Sequence, residues 1–177
     1  PRLVVSPSKI ALGKGAVAET GHHVSVYGDT ALVIATPQIF DIHGDRLLSV
    51  LEEAGVDTAL YTDVRPDPTV RNIEAAYDVW QSEDCDVLVT LGGGSSIDVG
   101  KGVGILATSG GHIRDYGVDR AGYEGVPNPT PPLVAVNTTT GTGSEATRSV
   151  VVTDESTDTK FLIVSQHVVP DVAIEDP

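Results

Sequence analysis

One cysteine and four lysines are all that this chain of 177 residues contains of either type. A lone Cys85 excludes an internal disulfide and a paired-cysteine zinc site. It precedes an apolar run, which suits inert packing rather than catalysis. No apolar stretch approaches the roughly 20 residues that cross a bilayer as a helix. No charged-then-apolar leader opens the sequence, so a cytoplasmic protein without a membrane partner is expected. The scarcity of lysine also excludes nucleic acid as a main partner. With 11 Lys and Arg against 25 Asp and Glu, the net charge is −14 and no basic stripe exists to replace counterions. Such an acidic, lysine-poor surface suits a protein kept dispersed in concentrated salt.

What is present is an alternation of apolar runs and helical patterns in a length that suits one domain with a real core, taken as 1–177. Ala31–Ala35, Thr58–Tyr61, Asp86–Leu91, Leu133–Asn137 and Asp171–Glu175 read as strands. Leu47, Val50, Leu51 and Ala54 follow i, i+3, i+4, i+7 spacing on a helix that Gly55 ends. Thr69, after the stiff Pro66-Asp67-Pro68 turn, caps a helix with Val70, Ile73, Tyr77 and Trp80 on one face. Residues 109–132 are rich in Gly and Pro and read as a long surface excursion. Arg148–Thr153 and Lys160–Val164 flank the polar Asp154–Asp158 loop of a β-hairpin. The pattern predicts an α/β fold, a Rossmann-like parallel sheet flanked by helices with a hairpin near the C-terminal end. Ligands of such sheets bind at the carboxyl ends of strands, near a topological switch.

Two loops stand at such ends. Gly92-Gly93-Gly94-Ser95-Ser96-Ile97-Asp98-Val99-Gly100-Lys101 joins a strand to a helix. Side-chain-free residues admit a ligand close to the backbone, and the N–H groups of a helix start point at negative charge. Ser95 is expected to cap that helix and to add a hydroxyl donor. Asp98, three positions on, suits either a cap acceptor or a ligand contact. Gly100, Gly102 and Gly104 weaken the helix by about 1 kcal/mol each, which implies something packed very close, either a neighbouring helix or a ligand. The second loop, Thr138-Thr139-Thr140-Gly141-Thr142-Gly143-Ser144-Glu145, offers five hydroxyls and two glycines at one sheet edge. Alone, each loop is also read as an ordinary tight turn; together they converge on one ligand, a pyrophosphate lying at the glycines.

GGGSSIDVGK at 92–101 and TTTGTGSEATR at 138–148 resemble the paired signatures of the iron-containing (group III) alcohol dehydrogenases. Gly13-Lys14-Gly15, Val64–Thr69, the hairpin with Lys160 and Val169–Pro177 agree in order and spacing. The resemblance implies the NAD- or NADP-binding domain of an enzyme that interconverts a small alcohol with an aldehyde or ketone. It places Gly93, Gly94 and Ser95 on the pyrophosphate and Asp98 near the nicotinamide end. Thr138, Thr139 and Thr142 would line the adenosine side, and Lys160 would reach the ribose. It also implies an all-helical domain holding Fe2+ or Zn2+ through one aspartate and three histidines, for which nothing here corresponds. His22, His23, His43, His112 and His167 are scattered without a shared-face spacing and are read as surface residues, so no metal ligand and no catalytic residue is assigned.

Where the family often carries Thr-Asp after the first core strand, this chain has Thr36-Pro37. The charge that rejects a 2′-phosphate is therefore missing, and either NAD or NADP fits. Thr36-Pro37-Gln38 is also similar to the maleylacetate reductases, a second reading on the same fold. A non-catalytic nucleotide-binding module is a third, and a synthase such as 3-dehydroquinate synthase ranks last, because no cationic cluster for its substrate is visible. An exposed first strand suits a homodimer by edge pairing.

Overall fold

Valine, leucine, isoleucine and alanine dominate the six strands that carry this fold, as expected where a parallel sheet is covered on both faces. The computed structural model describes residues 6–177, so the first five residues of the expected unit lie outside it. In chain order the elements are β1 (Lys9–Leu12), α1 (Thr20–Ser25), β2 (Thr30–Ala35), α2 (Pro37–Glu53), β3 (Asp57–Tyr61) and α3 (Val70–Ser82). They continue as β4 (Val87–Gly92), α4 (Gly94–Ser109), α5 (Val118–Ala121), β5 (Leu133–Asn137), β6 (Ser149–Asp154), β7 (Thr159–Val164) and β8 (Val172–Glu175). The strand order β1-β8-β5-β4-β2-β3 is parallel throughout. The chain leaves β2 toward one edge, returns through α3 to β4, and then builds toward the other edge. The switch thus falls between β2 and β4, where such sheets open a crevice.

Alternation along each strand divides the core in two. Ala31, Val33, Val87, Val89, Val134 and Val136 face α1 and α2, where Val24, Leu47 and Leu51 meet them fully buried. Leu32, Ile34, Leu88 and Leu133 face α3 and α4, which supply Ile73, Ala76, Val99 and Val103. The antiparallel pair β6–β7 joins this second layer through Val150, Val152, Phe161 and Ile163. Thr69 caps α3, accepting from Asn72 N while the Asn72 side chain accepts from Thr69 N. Loss of such a cap costs ~1 kcal/mol. The glycines of α4 have the close neighbours that the sequence implied. A Cβ at Gly102 would lie 2.6 Å from the Ile73 side chain of α3, and one at Gly104 would lie 2.9 Å from Thr130.

One expectation is revised, and two elements go unannounced in the sequence. Residues 109–132 are not only surface: they hold a 3₁₀ turn at Ile113–Tyr116 and α5, and they bury Ile113 and Val126 in the core. Two apolar anchors suffice to tie down a stretch whose composition is that of a loop. β1 and α1 leave no clear pattern in the sequence, because β1 is an edge strand with Ile10 and Leu12 exposed. Among the described residues, no helix is long and apolar enough to cross a membrane.

Candidate functional site

The glycine turn departs from its expected capping. Gly92 ends β4 with φ +141°, and this reversal starts the helix early. The N-cap is Gly93, without any side-chain cap, and α4 begins at Gly94. Ser95 is therefore the second helical residue and does not cap. Asp98 falls in the second turn, out of reach of a cap role. The first amide with a helical acceptor is that of Ile97, bonded to Gly93 O at 3.2 Å. The amides of residues 94–96 thus begin the helix without intrahelical partners, at the positive end of its dipole.

The second loop lies directly against this turn. A Cβ on Gly93 would strike Thr139 Oγ1, and one on Gly94 would lie 3.1 Å from the Thr142 methyl. The absence of both Cβ atoms is what lets the threonine loop close on the helix start. A cleft of about 280 Å³ opens here, lined by Gly94, Ser95, Asp98, Thr142, Ser144 and Val151, with Lys160 and Asp67 at its rim. Lys160 Nζ donates to Asp67 Oδ1 at 2.7 Å. The Val64–Thr69 turn is held to the hairpin by Thr153 N–H donating to Pro68 O at 2.8 Å.

Asp98 is only 8% exposed and accepts from Ser144 Oγ at 2.5 Å and from Val151 N at 3.0 Å. Burial pushes its carboxyl above the ordinary carboxylate value, opposed by the Lys101 charge and by these two hydrogen bonds. Lys101 is the residue that sequence reasoning missed. It is 1% exposed, and its Nζ donates to the carbonyls of Thr147 and Ser149 at 2.9 Å each and to Ser144 Oγ at 3.5 Å. Burial lowers its ammonium to about 8, against the charges of Asp98 and Glu145. The one sequence signal was the i, i+3 spacing of Asp98 and Lys101, which puts both on one face of α4.

The structure thus brings Gly94, Ser95, Asp98, Thr142 and Lys160 to one cleft, which Gly93 adjoins in sequence but does not line. Thr138 and Thr139 lie on the other side of the same loop. Thr138 donates its N–H to Gly92 O at 3.1 Å and leaves a buried Oγ1 without a partner among the described residues. It lines a cleft of about 390 Å³ with His43, Arg46 and Asp176. Thr139, whose N–H donates to Asn137 Oδ1 at 3.4 Å, borders a smaller cleft of about 190 Å³ beside Thr140 and Glu175. Asp176 accepts from Gly15 N and Val17 N at 2.8 and 3.2 Å, which ties Gly13-Lys14-Gly15 to the end of the chain. Among the described residues, no group of three or more His, Cys, Asp or Glu could hold a metal ion.

The model of the family described as "Iron-containing alcohol dehydrogenase" matches residues 7–177. A 1,3-propanediol dehydrogenase of Citrobacter freundii is 41% identical over 175 residues, covering 97% of this chain and 44% of its own. A crystal structure of a 1,3-propanediol oxidoreductase superposes with TM-score 0.94 at 39% identity, covering 99% of this chain and 46% of its own. A sulfoacetaldehyde reductase of Bifidobacterium kashiwanohense in complex with NAD+ gives TM-score 0.83 at 30% identity, over 100% of this chain and 46% of its own. The chain therefore spans less than half the length of the relatives it matches.

Proposed function

Because the chain belongs to the iron-containing alcohol dehydrogenase family, we propose that it binds a nicotinamide adenine dinucleotide across the glycine turn and the threonine loop. It would do so as the cofactor-binding part of a dehydrogenase acting on a small alcohol and its aldehyde or ketone. The observation that carries this reading is the pair Gly93–Gly94. Their missing Cβ atoms let Thr139 and Thr142 pack against the start of α4, whose amides without intrahelical partners suit an anion. The pyrophosphate lies on Gly93, Gly94 and Ser95, and Lys160 reaches a ribose from the rim. Thr138 and Thr139 serve the adenosine half, while the nicotinamide half runs toward Asp98 and Val151.

A bound nicotinamide supplies hydride exchange at its C4 atom. This chain's share is to hold the dinucleotide and present one ring face to the substrate. Both NAD and NADP are accommodated, because Pro37 offers no carboxylate to repel a 2′-phosphate and the Thr36 hydroxyl is occupied as the cap of α2. The described residues offer no cluster that would hold the metal the family is named for. The exposed edge of β1, carrying Ile10 and Leu12, supports pairing with a second copy. Titration of the chain with NADH and NADPH, followed by nucleotide fluorescence, tests the reading. Saturable 1:1 binding is expected, and absence of binding by both nucleotides overturns it.

A further inference from the structure

We propose that Lys101 is a positioning residue for dinucleotide binding, holding the wall of the cleft formed by residues 144–151 against α4 without touching the cleft itself. The inference rests on the cofactor reading above. Asp98 and Lys101 are one turn apart on α4, and between them they grip residues 144–151 at four places. Lys101 takes the carbonyls of Thr147 and Ser149, Asp98 takes the Val151 N–H, and the Ser144 hydroxyl bridges both. The three donors of the ammonium have three oxygen acceptors, so the group is fully used.

Among the described residues, no other side chain of α4 hydrogen-bonds to this segment. Yet Ser144, Thr147, Ser149 and Val151 line the same cleft as Gly94 and Ser95. The separation of the two walls is therefore set by a buried network. Lys101 does not itself line the cleft and is 1% exposed, so its effect on a ligand passes through the wall. Stability alone is a poor reason for a lysine here, because a buried ammonium gives up its hydration and an apolar chain of similar length packs without that cost. The charged groups that face it are Asp98 from its own helix and Glu145 from the loop.

The test compares wild type, Lys101→Met and Ser144→Ala by NADH titration at about pH 7 and about pH 9, with circular dichroism to establish folding. Lys101→Met is expected to fold and to bind about tenfold more weakly, in line with the loss of charged hydrogen bonds. Wild-type affinity is expected to fall between the two pH values, and that of Lys101→Met to stay flat. If Lys101→Met does not fold, Ser144→Ala carries the test with an expected loss of about threefold or more. A folded Lys101→Met that binds within about twofold of wild type, or that keeps the wild-type pH profile, overturns the inference and leaves the cofactor reading standing. So does a folded Ser144→Ala with wild-type affinity when it carries the test. A wild type that binds no dinucleotide overturns both.

Discussion

Lys160 Nζ stands 2.7 Å from Asp67 Oδ1, one carried by the second hairpin strand and the other by the turn before α3. The pair spans the rim of the cleft, with side chains 55% and 70% exposed. An ion pair so exposed contributes ~0–1 kcal/mol to stability, so its purpose is not to hold the fold. Lys160→Ala is expected to leave the melting temperature nearly unchanged and to weaken NADH binding. Asp67→Asn frees the ammonium and is expected to tighten it. Thermal melts and titrations of both variants check the two signs.

Gly92 and Gly94 are two positions apart and fail differently when given a side chain. Gly92 has φ +141°, and a Cβ there would also lie 2.6 Å from Ser96 Oγ. Gly92→Ala is expected to cost about 1–3 kcal/mol in urea unfolding. Gly94 is ordinary helix, and its Cβ would press on the Thr142 methyl at 3.1 Å. Gly94→Ala is expected to cost less stability than Gly92→Ala and to lower NADH affinity at least about tenfold, because the new methyl pushes the Thr142 side of the cleft away from the helix start.

Lys101 makes stability depend on pH in an unusual direction. Its ammonium titrates at about 8 in the folded chain against an ordinary 10.5. Between those values the unfolded chain keeps a proton that the folded chain has lost, so this group's contribution rises with pH. The unfolding free energy of wild type minus that of Lys101→Met is expected to rise from about pH 8 to about 10.5 and to be flat at lower pH down to the range where Asp98 titrates. Urea denaturation across that range measures the difference.

Self-repulsion follows from a net charge of −14. Added KCl screens it, so the melting temperature is expected to climb steadily from low salt toward molar salt. Indifference to salt would show that the acidic surface costs the fold nothing.

Strands were the most readable part of this chain, because parallel strands covered on both faces appear as unbroken apolar runs. Leu133–Asn137 was read to the residue, and the others to within one at each end. The hairpin was equally plain from its polar Asp154–Asp158 tip. β1 was hidden because its side chains are exposed at a sheet edge. Serine prefers the cap position, which points to Ser95; the backbone reversal at Gly92 instead starts the helix upstream of it. Lys101 stood in view within the glycine motif, but nothing in a lysine's identity tells that it will be 1% exposed. Its spacing from Asp98 was the only clue, and burial gave the clue its meaning.

Backbone amide shifts of the 18.4 kDa chain, recorded by NMR during titration with NADH, test the central claim most directly. The largest changes are predicted at Gly93–Ser96, with accompanying changes at Thr138–Ser144 and along β6. Binding that leaves the amides of residues 93–96 unmoved, with its changes confined to the cleft beside His43 and Arg46, would contradict a pyrophosphate site at the start of α4.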